Sequence, residues 1–225
     1  MDANKLSLVM MGASGAVGTQ TLKSLVLSDQ IGKLTLLGRT EIPHIHENFV
    51  HQHKIDIHNP DTYSSFLTGH AVAICTLGVG EPSKMTKEEF VKIDKIAVFN
   101  FARECKNSGI KHFELLASVG IDSKSSSFYL RTKGELVDEL KTLNFDRLSI
   151  FKPSMILTPT NRYGMSQAIA LRVWPWLSPV LIGRLRKYRG IDVDILGRAM
   201  AINIFNSKPG YEVLQWDDFY KITDG

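Results

Sequence analysis

Short apolar runs that stop at glycine alternate along this chain with stretches whose apolar residues recur every three or four positions. The first run, Leu6 to Met11, predicts a buried strand. Ala16 to Leu27 then predicts a helix with Val17, Leu22, Leu25 and Val26 on its inner side. Leu34 to Leu37 reads as a second strand ending at Gly38-Arg39. His53 to Ile57 reads as a weaker third, followed by Asn59-Pro60-Asp61 and a helix through Phe66. Ala71 to Leu77 is the fourth expected strand, Thr86 to Ser108 a long helix closed by Gly109, and Lys111 to Ala117 a fifth strand. Phe128 to Leu143 predicts a helix, and Asp146 to Phe151 a sixth strand stopped by Pro153. This alternation argues an α/β fold with a doubly wound parallel sheet. Beyond Pro153 it breaks down. A Met/Trp/Pro-rich stretch, 165–183, precedes a basic cluster (Arg184, Arg186, Lys187, Arg189), a helix over 192–205, and a terminal strand and helix. No repeat or linker interrupts the chain. The expected organisation is one domain over 1–225, with about 153–225 contributing a small irregular C-terminal cap on the substrate side.

Composition narrows the classes. At 225 residues, with 44% hydrophobic and 22% charged, the chain can build an ordinary globular core. A net charge of +4 without a dense basic arm gives no nucleic-acid footprint. Cys75 and Cys105 both fall inside apolar segments, which points to reduced core thiols and a cytoplasmic setting. The N-terminal residues lack a signal-peptide layout, and no apolar stretch is long enough to span a bilayer.

Gly12, Gly15 and Gly18 follow the first strand and open the first helix, the context of a dinucleotide fingerprint. The turn needs an unhindered backbone, the pyrophosphate must approach main-chain N–H groups, and the helix N-terminus supplies positive potential. The end of the second strand chooses between cofactors. An acid there holds both ribose hydroxyls, whereas an arginine suits a 2′-phosphate. The chain has Arg39 followed by Thr40, which argues for NADP(H); Glu41 turning inward is the competing reading. Asp56 stands where an adenine edge would be met, or caps a loop, and Leu77 and Gly78 end the fourth strand beside the expected adenine ribose.

Tyr129 and Lys133 are four residues apart on one helix face, so phenol and ammonium can enter one cleft. A nearby cation stabilises phenolate, which suits a proton donor to a carbonyl receiving hydride. Ser118, just past the fifth strand, could hold the carbonyl oxygen. Five histidines between His44 and His58 lack a carboxylate or cysteine at zinc-motif spacing and read as a surface loop, so no metal is expected. Trp174, Pro175 and Trp176, with Arg172 and Pro179, read as a substrate lid or buried cap. Membrane docking with the basic cluster is the weaker alternative.

With these positions the chain resembles the atypical short-chain dehydrogenases, and within them the Tat-interacting-protein, oxidoreductase-like group. The matching stretches are Met11-Gly-Ala-Ser-Gly-Ala-Val-Gly18, Lys111 to Gly120, Tyr129-Leu-Arg-Thr-Lys-Gly-Glu135 and Phe145 to Pro153. The resemblance implies a Rossmann-type sheet and NADP(H). Gly12, Ser14, Gly15, Ala16, Val17 and Gly18 would hold the pyrophosphate, Arg39 the 2′-phosphate, and Ser118, Tyr129 and Lys133 would form the reacting set. Pro153, Met155 and Ile156 would lie against the nicotinamide carboxamide. The asparagine of the standard proton relay has Asn100 as its nearest counterpart, and Lys152-Pro153-Ser154 stands where the family writes Arg-Pro-Gly. The expected activity is NADPH-dependent reduction of a small carbonyl compound. The rival is an NADPH-binding regulatory or scaffold protein with a protein partner, and an oligomer fits either.

Overall fold

The computed structural model describes residues 5–80, 84–159 and 180–225. Its strands are β1 (Leu6–Met11), β2 (Ile31–Gly38), β3 (Val50–Lys54), β4 (Val72–Cys75), β5 (His112–Leu116), β6 (Arg147–Phe151), β7 (Ile156–Leu157), β8 (Ile191–Asp192) and β9 (Gly210–Leu214). Seven form one parallel sheet in the order β3-β2-β1-β4-β5-β6-β9, and β7 pairs with β8 alone. The helices are α1 (Ala16–Val26), α2 (Lys87–Val91), α3 (Val98–Asn107), α4 (Phe128–Thr142), α5 (Val193–Asn203) and α6 (Trp216–Asp224). This is the Rossmann-type doubly wound fold that the alternation predicts.

The sheet is buried on both faces because the residues of its central strand are apolar on both. Val9 and Met11 of β1 face a cluster with Phe101, Phe113, Leu136 and Leu140, under α3 and α4. Leu8 and Met10 face the other layer, with Leu22, Leu25, Leu196, Met200 and Phe219 from α1, α5 and α6. Strand order reverses at β1, which lies between β2 and β4, and leaves a crevice at the carboxyl ends of the strands.

Three local expectations change. The third strand covers Val50–Lys54 rather than 53–57: it is a sheet edge paired only with β2, so its residues carry a weak apolar signal. The helix through Phe66 is two short 3₁₀ turns, Pro60–Thr62 and Ser64–Phe66. Between α2 and α3 the long helix widens into a π-helical turn, Lys92–Ala97. In the C-terminal third, read as cap, the helices α5 and α6 and the strand β9 lie in the main layers. β9 pairs with β6, and α5 packs on α1 where Gly197 meets Gln20 and Thr21.

The core also holds polar groups. Asn203 Nδ2 donates to Glu114 Oε1 at 2.7 Å, His112 Nε2 lies 2.8 Å from Ser149 Oγ, and Ser149 donates to Glu212 at 2.6 Å. Burial pushes Glu114 well above the usual carboxylate range, although Asn203 and Arg147 pull the other way. Burial lowers His70 to about 4, helped by Lys33, and His112 to about 3, helped by Arg147. A ring neutral in the fold but basic when unfolded stabilises above the unfolded value and loses that contribution as pH falls. Wild type should therefore lose stability relative to His70→Asn as pH falls from about 6.5 to about 4, by at most about 1.4 kcal/mol per pH unit. Glu114 has the opposite sign and cancels in the difference. Parallel urea midpoints for the two proteins over that window would refute a neutral His70.

Candidate functional site

β1 delivers the chain to a tight turn. Gly12 has φ +95°, and the Gly15 N–H donates to the Gly12 carbonyl at 3.0 Å. A Cβ on Gly18 would sit 2.2 Å from that carbonyl oxygen, so the first turn of α1 closes directly onto the loop. No acidic residue occupies that turn of α1, which leaves its N–H groups and positive end free for an anion. Around it opens a cleft lined by Gly12, Ala13 and Ser14, by Gly38, Arg39, Thr40 and Glu41, and by Leu77. Ala16 is half-buried and Val17 belongs to the core, so Val17 has only backbone to offer a ligand.

The far rim differs from expectation. Asp56 is exposed, and its carboxylate accepts the His58 N–H at 2.9 Å, which is the loop-capping alternative. His53 lines the cleft instead, stacked on Phe66 with ring centroids 3.7 Å apart. Gln52 also lines it and clamps the rim, accepting from Ile42 N at 2.8 Å and donating to Ile42 O at 3.0 Å. Gln52 was not singled out in the sequence, and His53 was read only as the start of a weak strand within a histidine-rich surface stretch. His44, His46, His51 and His58 are exposed.

Tyr129 and Lys133 do share one face of α4. Tyr129 is half-buried, its ring 5.4 Å from that of Phe90, and Lys133 Nζ lies 5.6 Å from the phenol ring centroid. The partner of Lys133 is Asp94, in the π-helical turn, at 2.6 Å. Asp94 is fully buried, and its other carboxylate oxygen accepts the Val79 N–H at 2.8 Å. Gly78 lies against this pair: a Cβ there would be 3.3 Å from Asp94 and 3.9 Å from Lys133 Nζ. Burial works against the Lys133 ammonium, but Asp94, then Tyr129, outweigh it and hold its pKa above the usual lysine value. Asn100 stands half-buried further along on α3, and among the described residues no hydrogen bond joins it to Tyr129 or Lys133. One sequence signal marked Asp94: it lies four residues after Phe90 and four before Val98, an acid on the apolar face of a helix.

Ser118 is half-buried beyond β5, its hydroxyl 3.4 Å from the Val119 carbonyl. Val119 N–H donates to Pro153 O at 2.8 Å, which joins the Ser118 segment to the one carrying Met155 and Ile156. That segment is anchored in turn where Ile191 N–H donates to Met155 O and β7 pairs with β8. Leu77, which lines the glycine-turn cleft, is followed directly by Gly78, which lies against the Asp94–Lys133 pair.

No protein-family model matches the chain. Protein HTATIP2 of Rattus norvegicus is 38% identical over 153 residues, which is 67% of this chain and 63% of the rat protein. Over that stretch the chain is similar to HTATIP2, in line with its resemblance to the atypical short-chain dehydrogenases. The matched stretch is thus a little under two thirds of that relative's length. A mitochondrial FMP52 protein of Candida albicans is 27% identical over 198 residues, 86% of this chain and 85% of its own. Among solved structures, MoeE5 in complex with UDP-glucuronic acid and NAD superposes with a TM-score of 0.71. It shares 14% identity over 92% of this chain and 75% of that one, a likeness of fold.

These relatives correct one expectation. Several fungal relatives, the FMP52 proteins, are named as mitochondrial proteins, which overturns the cytoplasmic setting read from the two thiols. Cys75 and Cys105 are free and buried, and thiols shielded in this way carry no information about compartment. Of the expected lid at 165–183, residues 165–179, with Trp174 and Trp176, lie outside the described residues. In the basic cluster, Arg186 pairs with Asp217 at 2.6 Å and Arg189 lies 5.0 Å from the Trp216 ring, so both are drawn onto α6. No helix among the described residues is long and apolar enough to cross a membrane.

Proposed function

We propose that this protein is a nicotinamide-dinucleotide-dependent oxidoreductase acting on a small carbonyl compound. One observation carries the reading: Gly78 lies against the Asp94–Lys133 pair, with Lys133 beside Tyr129, and directly follows Leu77, which lines the glycine-turn cleft. The residues fit a dinucleotide. The backbone at Gly12 and Gly18 has no room for a Cβ, and the start of α1 presents N–H groups without a competing acid. When bound, the dinucleotide supplies the hydride. The chain supplies the rest: Tyr129 delivers the proton to the carbonyl oxygen, Ser118 orients that oxygen, and Lys133 keeps a positive charge beside the phenol. Pro153, Met155 and Ile156 shape the side of the site reached from Val119.

A second reading has its own support. Lys133 is already paired with Asp94, and a neutralised cation exerts a weaker field at Tyr129 than a free one. A cofactor-binding regulatory protein with little turnover would have such a site. A broad screen of aldehydes and ketones with NADPH separates the two readings. Measurable turnover supports the enzyme, and tight binding without turnover supports the regulator.

The finer assignment is a preference for NADPH over NADH. Arg39 and Thr40 stand at the cleft rim, where a guanidinium can make a charge-assisted contact with the 2′-phosphate. Arg39→Ala should shrink the preference by about 1.5–3 kcal/mol, the range for hydrogen bonds to charged groups. Titration by dihydronicotinamide fluorescence measures it. Equal affinity of the wild type for both cofactors would remove Arg39 from that role, and a preference for NADH would give it to Glu41, on the same rim.

A further inference from the structure

We propose that Asp94 is a positioning residue of this site, acting through Lys133: it fixes the place and charge of the ammonium and ties both to the loop after β4. The inference rests on the reading of Lys133 as a partner of Tyr129. It starts from an inversion of the usual pattern. In the turn Lys92–Ala97 the carboxylate of Asp94 is 1% exposed, while the apolar Ile96 is 48% exposed. A buried acid beside a solvent-facing isoleucine goes against hydrophobic patterning, and π-helical turns often mark functional positions.

Both oxygens of the carboxylate are committed. Oδ1 meets Lys133 Nζ at 2.6 Å and Oδ2 accepts the Val79 N–H at 2.8 Å, so one group joins the long helix, α4 and the loop at 77–80. That loop begins with Leu77, which lines the cleft, and continues with Gly78, packed against the ion pair. A ligand that shifts the loop must therefore shift Val79, and with it the carboxylate that holds Lys133. Dinucleotide binding and the charge state of Lys133 become linked, without any contact between Asp94 and the ligand.

Among the described residues, three groups act on Lys133. Asp94 comes from the long helix, Tyr129 from α4 itself and Cys75 from the end of β4. Lys95, paired with Glu135 at 2.8 Å and Glu139 at 3.0 Å, joins the same two helices by a separate contact. Removing the Asp94 charge leaves burial as the main influence on the ammonium, and burial favours the neutral amine.

The test uses the full chain with ¹³C-labelled lysine, and the Lys133 Cε signal is assigned by its loss in Lys133→Arg. In wild type Lys133 should titrate above an ordinary lysine. In Asp94→Asn its midpoint should fall by about one pH unit or more. Asp94→Glu, which restores the charge, should recover most of that shift. NADPH affinity should then acquire a basic limb in Asp94→Asn, dropping about tenfold across the new Lys133 midpoint. A second measurement needs no variant: on the acid side of wild type, the Val79 amide and Lys133 Cε signals should move with one common midpoint. An unmoved Lys133 midpoint in Asp94→Asn, or separate midpoints for Val79 and Lys133, overturns the assignment. Failure of wild type to bind any dinucleotide overturns the cofactor reading instead, and the Lys133 titration, made without ligand, still decides the role of Asp94.

Discussion

Tyr129→Phe should abolish carbonyl reduction, by about 10²–10⁴-fold, the range for a positioned general acid. It should leave folding and dinucleotide affinity nearly unchanged. The substitution removes one hydroxyl and keeps the ring that packs 5.4 Å from Phe90. Lys133 stays paired with Asp94, so no buried charge is left alone. Turnover is followed by dihydronicotinamide absorbance over a panel of small aldehydes and ketones, and affinity by fluorescence of the same group. A variant that retains full turnover would remove Tyr129 from the mechanism. One that loses binding as well as turnover would show that the phenol holds ligand rather than moving a proton.

Gly18→Ala should damage both fold and cofactor binding. The new methyl would sit 2.2 Å from the Gly12 carbonyl oxygen, 2.8 Å from Thr76 Oγ1 and 2.9 Å from the Ala13 Cα. Two of these neighbours are backbone, so relief requires the turn itself to open. Overpacking of this kind typically costs about 1–3 kcal/mol. An opened turn also moves the N–H groups at the start of α1, and dinucleotide affinity should drop by about tenfold or more. Gly15→Ala is the comparison: its Cβ meets only the Gly12 carbonyl, at 3.3 Å, and its φ of −69° suits any residue. A Gly18→Ala protein with wild-type stability and affinity would mean that the close approach has no consequence for the site.

The features legible in the chain were those whose cause is local. Apolar runs halted at Gly12 and Gly38, and the three-to-four-residue recurrence in α1 and α4, reflect the geometry of single elements. They were enough for a doubly wound parallel sheet, because parallel neighbours need a crossover and crossovers are helices. The spacing of Tyr129 and Lys133 was equally local: four residues on a helix share a face in any context. Short-range patterning was weakest at the sheet edge. β3 lies three residues earlier than expected, and His53, near its end, lines the cleft.

By itself, the sequence determined the fold class, the glycine turn and the pairing of Tyr129 with Lys133 on one helix face, since each follows from backbone periodicity and the missing Cβ of glycine. Tertiary structure alone decided what Lys133 meets. Asp94 and Lys133 lie far apart in the chain and come within 2.6 Å because the long helix and α4 pack side by side on one face of the sheet. It also decided that the last strand closes the sheet beside β6 instead of belonging to a cap. Both are contacts between elements, and a contact of that kind is set by how whole layers pack, which no window of neighbouring residues encodes.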